Sequence, residues 1–76
     1  MAEVLARQAL ALSEPLGRQE LIAEDCHRLA WALGWQGKTR EGLPYARRAV
    51  EIYTRLGAPN LKDALETLAV CEGEGT

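Results

Sequence analysis

Ala6-Arg7-Gln8-Ala9-Leu10-Ala11-Leu12 and Ala46-Arg47-Arg48-Ala49-Val50-Glu51-Ile52 are two versions of one phrase, set forty residues apart. The match extends outward. Leu16-Gly17 lies over Leu56-Gly57 and Leu21 over Leu61, and after one deleted residue Leu29-Ala30 lies over Leu68-Ala69. In each copy apolar residues recur at three- and four-residue intervals, the spacing of one helix face, and a glycine divides the copy in two. A pair of antiparallel helices repeating at about forty residues is a solenoid signature, in which each unit buries its apolar face against the next.

Glycine and proline set the breaks. Gly17, Gly34-Trp35-Gln36-Gly37 and Gly57-Ala58-Pro59 separate helices over about 2–16, 18–35, 40–56 and 60–71, with a frayed tail over 72–76. In the first helix Leu5, Ala6, Ala9, Leu12 and Leu16 make the apolar stripe. Pro15 has no N–H to donate and crowds the Ala11 carbonyl, so a bend or stop is expected there. The second helix carries two stripes, Ile22/Cys26/Leu29/Ala30/Leu33 and His27/Trp31/Trp35, which predicts neighbours on both sides. In the third, Tyr45, Ala46, Ala49, Val50, Ile52 and Tyr53 are expected to face inward. Pro44 belongs in or near its first turn, and Gly57 is placed for a left-handed C-cap. Asn60 is a natural N-cap for the fourth, Asp63 suits its positive end, and Leu61, Ala64, Leu65, Leu68 and Ala69 are its expected buried stripe. The reading is all-α: one domain over residues 1–76, built of four antiparallel helices.

Composition fits this reading and narrows the function. At 8.3 kDa the chain buries only about 60% of its unfolded surface on folding, a thin margin for a lone monomer. Hydrophobic residues make up 47% and charged residues 26%, which excludes an intrinsically disordered chain. A net charge of −2 argues against non-specific nucleic-acid binding. No apolar run reaches the roughly 18 residues of a membrane span, and Met1-Ala2-Glu3-Val4 does not open like a signal peptide, so no membrane role and a cytoplasmic setting are expected.

Two cysteines and one histidine are too few for a metal or a disulfide framework. Cys26 and Cys71 read as small buried hydrophobes in a reducing compartment, with a Cys26–Cys71 bridge as the alternative. Together with His27 they supply three ligands, two of them adjacent, short of a structural zinc site. No phosphate-binding glycine loop, nucleophile elbow or catalytic triad accompanies His27, so neither an enzyme nor a cofactor is expected. Arg40, Arg47 and Arg55, with Lys38 and Arg48 nearby, read as a solvated face interleaved with Glu41 and Glu51, or as a contact for an acidic partner.

The chain resembles the tetratricopeptide repeat family. The residues that carry the likeness are Cys26-x₂-Leu29-Ala30-x₂-Leu33 with Gly37 after it, and the second copy Leu65-x₂-Leu68-Ala69-x₂-Glu72. Gly42-x₃-Ala46-x₂-Ala49 and Ala2-x₃-Ala6-x₂-Ala9 match the small residues of the family's second helix. Cys26 and Leu33 stand where the first-helix pattern has aromatics, and Thr54 stands where it has proline. Arg55-Leu56-Gly57-Ala58-Pro59-Asn60 is similar to the turn of the lengthened repeats in bacterial regulators and kinesin light chains. The resemblance implies a fragment of an α-α superhelix that opens on a second-type helix and closes on a first-type helix. Such a chain is an excerpt of a longer array or pairs its open ends with another copy.

In that family the first-type helices line a concave groove for a peptide or partner helix. Carried over by register, the partner-binding side is Glu24, His27, Arg28, Trp31 and Trp35 on the second helix and Asp63, Glu66, Thr67 and Val70 on the fourth. Trp31 either opens into this groove as an anchor or packs beneath a neighbouring helix, and Trp35 either joins it or covers the end of the core. The expected function is a non-catalytic protein–protein interaction scaffold. The alternatives are a self-association module that forms a homodimer through its open ends, and a regulatory-domain fragment of a larger bacterial protein.

Overall fold

A computed structural model describes residues 2–73, with the side chain of Ala2 left aside. It holds four α-helices and, among the described residues, no strand: α1 (Ala2–Leu16), α2 (Gln19–Trp35), α3 (Thr39–Leu56) and α4 (Leu61–Gly73). None of these helices is long and apolar enough to cross a membrane. Helix α4 runs through Glu72 and Gly73, where the sequence predicts tail, and residues 74–76 lie outside the described part.

The turns form where glycine permits them. Gly17, Gly37 and Gly57 all take positive φ, at 67°, 80° and 65°. After α3 the Ala58 N–H bonds the Tyr53 carbonyl at 3.1 Å, and after α2 the Lys38 N–H bonds the Leu33 carbonyl at 2.8 Å. These are the long C-terminal bonds that a left-handed residue makes available to a helix end. The Asn60 carbonyl accepts the Ala64 N–H at 3.1 Å, which puts Asn60 in the capping position of α4. Pro15 does not stop α1, which continues to Leu16. It lies one residue from the end, in a turn whose carbonyls have few partners to lose. Pro44 is the sixth residue of α3, past the first turn, and the helix continues through it. Pro44 and Arg40 are both exposed, so the Arg40 carbonyl that loses its amide partner is within reach of water.

Each helix runs antiparallel to the next, and α2 lies at the centre, packed against all three others. Ser13 near the end of α1 meets Asp25 early in α2. Leu33 near the end of α2 meets Gly42 at the start of α3, whose other neighbour there is Cys71 at the end of α4. The core joins Ala6 and Leu10 of α1, Ile22, Ala23, Cys26, Leu29 and Leu33 of α2, Ala49, Ile52 and Tyr53 of α3, and Ala64 of α4. A smaller cluster of Ala30, Ala46 and Cys71 closes the end where α2, α3 and α4 converge. The result is a slab of 34 × 27 × 15 Å.

The Ile22/Cys26/Leu29/Ala30/Leu33 stripe of α2 and the expected stripe of α3 are buried, apart from half-buried Tyr45 and Val50, but the second stripe of α2 is corrected: His27 is half-buried and Trp31 and Trp35 are exposed, with no described helix laid over them. The stripes of the outer helices are corrected too. In α1 the buried face is Ala6, Leu10 and Ser13, while Leu5, Leu12 and Leu16 are 62%, 73% and 68% exposed. In α4 the buried residues are Ala64, Thr67 and Cys71, while Leu65 is 47% exposed and Ala69 is exposed too. The physical reason is common to both. Each outer helix rests on the slab along one side, so Leu5, Leu12 and Leu16 of α1 and Leu65 and Ala69 of α4, about 100° around, stay exposed, while Leu61 and Leu68 pack against the core at its edge. Cys26 and Cys71 are buried in separate clusters, and neither is in a disulfide.

Candidate partner-binding face

The face on which Trp31 stands is built from α1, α2 and α4. Trp31 and Trp35 are one turn apart on α2, their rings 5.7 Å between centroids and tilted by 56°, a favourable non-parallel aromatic pair. Trp31 is 54% exposed and Trp35 is 73% exposed. Neither placement beneath a helix nor a lid over the core describes them. Their position follows from the spacing: residues 27, 31 and 35 advance by four and so stay on one side of α2, while Cys26, Leu29 and Leu33 hold the buried side.

Two clefts flank Trp31. The larger, of about 660 Å³, lies between α1 and α2 and is lined by Leu5, Ala6, Ala9, Asp25, His27, Arg28, Trp31 and Ala32. The smaller, of about 220 Å³, lies between α2 and α4, with Ala30 and Gly34 near its floor and Trp31, Trp35, Glu66, Thr67 and Val70 around it. The two small residues leave room beside the tryptophans, so a side chain entering there would meet indole on one side and Val70 on the other.

Hydrogen bonds fix the floor. His27 Nε2 lies 2.8 Å from Thr67 Oγ1, and the Thr67 hydroxyl also lies 3.3 Å from the Asp63 carbonyl. The hydroxyl has one proton to give, so when it bonds the carbonyl, His27 donates through Nε2. Burial pushes the His27 imidazole below its ordinary range, only partly opposed by the charge of Asp63, and the ring is therefore neutral at physiological pH. Thr67 is buried under the face and ties α4 to α2. On the other flank Ser13 Oγ lies 2.6 Å from Asp25 Oδ2, both side chains buried, and this bond seats α1 on α2.

Of the nine residues expected at the site, His27, Arg28 and Trp31 line the larger cleft, and Trp31, Trp35, Glu66, Thr67 and Val70 line the smaller. Glu24 does not join them. It pairs with Arg28 at 2.6 Å and lines a separate hollow of about 350 Å³ at the α3–α4 turn, beside Tyr53 and Leu56. Asp63 lines neither cleft; its carbonyl holds the Thr67 hydroxyl. Leu5 and Ala9 were missing from the expected set. Their signal was the apolar stripe of α1, which the sequence assigns to the core.

Arg48 and Arg55 of α3, and Lys38 just before it, pair within the chain. Arg48 bonds Glu14 at 3.2 Å, Arg55 approaches Glu51 at 3.5 Å and Lys38 approaches Glu3 at 3.5 Å. Arg7 reaches from α1 to the Tyr45 hydroxyl at 3.2 Å, with its guanidinium 5.7 Å over the ring. These side chains make that surface a solvated, self-paired face. Among the described residues no group of three or more His, Cys, Asp or Glu is placed to hold a metal ion. No protein-family profile matches the chain, and neither a curated protein nor a solved structure matches it at a significant level.

Proposed function

We infer that the chain is a non-catalytic interaction module, a fragment of a tetratricopeptide-like superhelix that docks a peptide or a partner helix on the face of α2 and α4. The observation that carries this reading is the solvent-open Trp31–Trp35 pair beside a cleft floored by small residues. Water-exposed indoles are costly to leave bare, and tryptophan is a frequent anchor of protein contacts. A bulky apolar side chain of the partner enters between the tryptophans and Val70. Glu66 and Arg28 supply polar selection at the edges, and Thr67 and His27 hold the floor rather than touch the ligand. The engagement of His27 with Thr67 and its neutral state suit a structural role better than proton transfer. Two buried thiols suit a reducing, cytoplasmic compartment.

Selection of a displayed random-peptide library on the folded chain tests this. Enriched peptides should share a bulky apolar residue and quench tryptophan fluorescence on binding. Trp31→Ala should weaken them about thirtyfold, the equivalent of a two-kilocalorie hot spot, while leaving the circular dichroism unchanged. A selection that enriches nothing, or binders indifferent to Trp31→Ala, would refute the reading.

A further inference from the structure

The two open stripes of the outer helices are not independent, because the chain contains a covered copy of each. At the forty-residue shift Leu5, Ala9, Leu12 and Leu16 of α1 correspond to Tyr45, Ala49, Ile52 and Leu56 of α3. In α3 the middle of that stripe is covered: Ala49 and Ile52 lie in the core with Cys26, Leu29 and Leu33 of α2 and Tyr45 is half-buried, while Leu56 at the helix end stays exposed. At the shift of thirty-nine, Cys26, Leu29 and Ala30 of α2 correspond to Leu65, Leu68 and Ala69 of α4. In α2 these three are fully buried; in α4 Leu68 is half-buried and the other two are exposed. So α1 presents the surface that α3 gives to α2, and α4 presents the surface with which α2 receives it.

We propose that a second copy of this chain docks head to tail, α4 of one copy seated on α1 and α2 of the next, in the arrangement that α2 already adopts against α3 and α4. The register can be checked by charge. Within the chain His27 of α2 faces Thr67 of α4 at 2.8 Å. One repeat on, His27 becomes Glu66 and Thr67 becomes Arg28, so a carboxylate of one copy meets a guanidinium of the next. A polar contact inside the chain is thus replaced by a complementary ion pair between chains. Val70, which takes the place of Trp31, enters the cleft of Leu5, Ala9, Arg28 and Trp31. The contact joins unlike surfaces, so it does not close on itself, and each added copy presents the same two ends again. The contact draws on Arg28, Trp31, Glu66 and Val70, which also line the proposed peptide groove, so assembly and peptide compete for that face.

Sedimentation velocity of the full chain over a wide concentration range tests the proposal. The mass should climb past that of a dimer as concentration rises. Leu12→Asp blocks the α1 end and Leu65→Asp blocks the α4 end; both positions are exposed, and circular dichroism should show both variants folded. Each alone should be monomeric, and an equimolar mixture should give a one-to-one heterodimer and nothing larger. Adding Glu66→Arg to the Leu12→Asp chain, or Arg28→Glu to the Leu65→Asp chain, should weaken that heterodimer about tenfold, and adding both should restore it. A wild-type chain monomeric at every concentration, a single variant that still dimerises, or a mixture that stays monomeric would overturn the head-to-tail contact. A heterodimer indifferent to the charge exchange would overturn its register.

Discussion

Two glycines of similar helical setting should respond oppositely to the same substitution. Gly34 and Gly42 both lie inside helices, and neither has the positive φ of the turn glycines. Alanine at either position gains about 0.5–1 kcal/mol from the reduced freedom of the unfolded chain. The difference is what a new Cβ would touch. At Gly34 the nearest atoms are Val70 Cγ1 at 3.6 Å and Cys71 Sγ at 3.8 Å, ordinary van der Waals contacts. At Gly42 they are the Ala30 carbonyl oxygen at 3.1 Å, Cys71 Sγ at 3.2 Å and Leu33 Cβ at 3.3 Å. None of these is the far end of a flexible side chain, and the first is backbone. Relief requires α3 to move off α2 and α4 by a few tenths of an ångström, where the three helices converge, and overpacking of this kind costs about 1–3 kcal/mol. Gly34→Ala should therefore stabilise by about 0.5 kcal/mol and Gly42→Ala destabilise by about 1 kcal/mol. In a domain of this size that gap separates the two melting temperatures by about 6–12 °C. Thermal and urea unfolding followed by far-UV circular dichroism, at a concentration where the chain is monomeric, would measure it. A Gly42→Ala variant as stable as Gly34→Ala would mean that α2 and α3 are not packed this closely.

Three further outcomes are expected. Ser13→Ala leaves the buried Asp25 carboxylate without its 2.6 Å donor and should cost about 1–3 kcal/mol in urea unfolding, with part of that loss absent when Asp25 is also replaced by alanine. His27 has a folded pKa below its ordinary 6.5, so the unfolded chain takes up the proton first; stability is full above that value and falls as pH drops through it, a slope that His27→Gln should flatten in pH-dependent melts. The hydrogen bond from Arg7 holds the Glu3 carboxyl below its ordinary 4.5, which adds a second loss in the same direction at lower pH. Burial pushes both the Cys26 and Cys71 thiols up, so iodoacetamide at neutral pH should modify neither in the folded chain and both in urea; mass spectrometry reads the result, and rapid native labelling would refute the burial of the two sites.

The central helices were legible in the sequence because the apolar residues of their core stripes found partners. Ile22, Cys26, Leu29, Ala30 and Leu33 recur at helical spacing and all five are buried, since α2 has a neighbour on every side that this stripe faces. The turns were legible through Gly17, Gly37 and Gly57, whose left-handed conformations end three helices within a residue or two of the expected places. The floor of the candidate face was not legible. The sequence reads Thr67 and His27 as partner-binding groove residues, and only the three-dimensional approach of α2 to α4 brings them within hydrogen-bond distance of each other across forty residues of chain. Ser13 and Asp25 carried no signal at all: a serine and an aspartate on helices are ordinary exposed residues until one is seen to satisfy the other.

The misplaced stripes of α1 and α4 follow from a limit of periodicity itself. Helical spacing reports which side chains share a face; it does not report whether anything covers that face. A helix inside a repeating array has two neighbours and therefore two apolar stripes, and the sequence of α1 carries both: Ala6, Leu10 and Ser13 on one, Leu5, Ala9, Leu12 and Leu16 on the other. The richer stripe in leucine reads as the core, yet it is the one left open, because α2 reaches α1 from the side of the smaller residues. The internal copy removes the ambiguity. Ala46, Val50 and Tyr53 of α3 match the buried stripe of α1, while Tyr45, Ala49 and Ile52 match the open one, and in α3 both sets are at least half-buried. Leu5 and Leu12 of α1 thus repeat positions that α3 at least half-buries, and the described chain supplies the template for covering them but leaves them exposed.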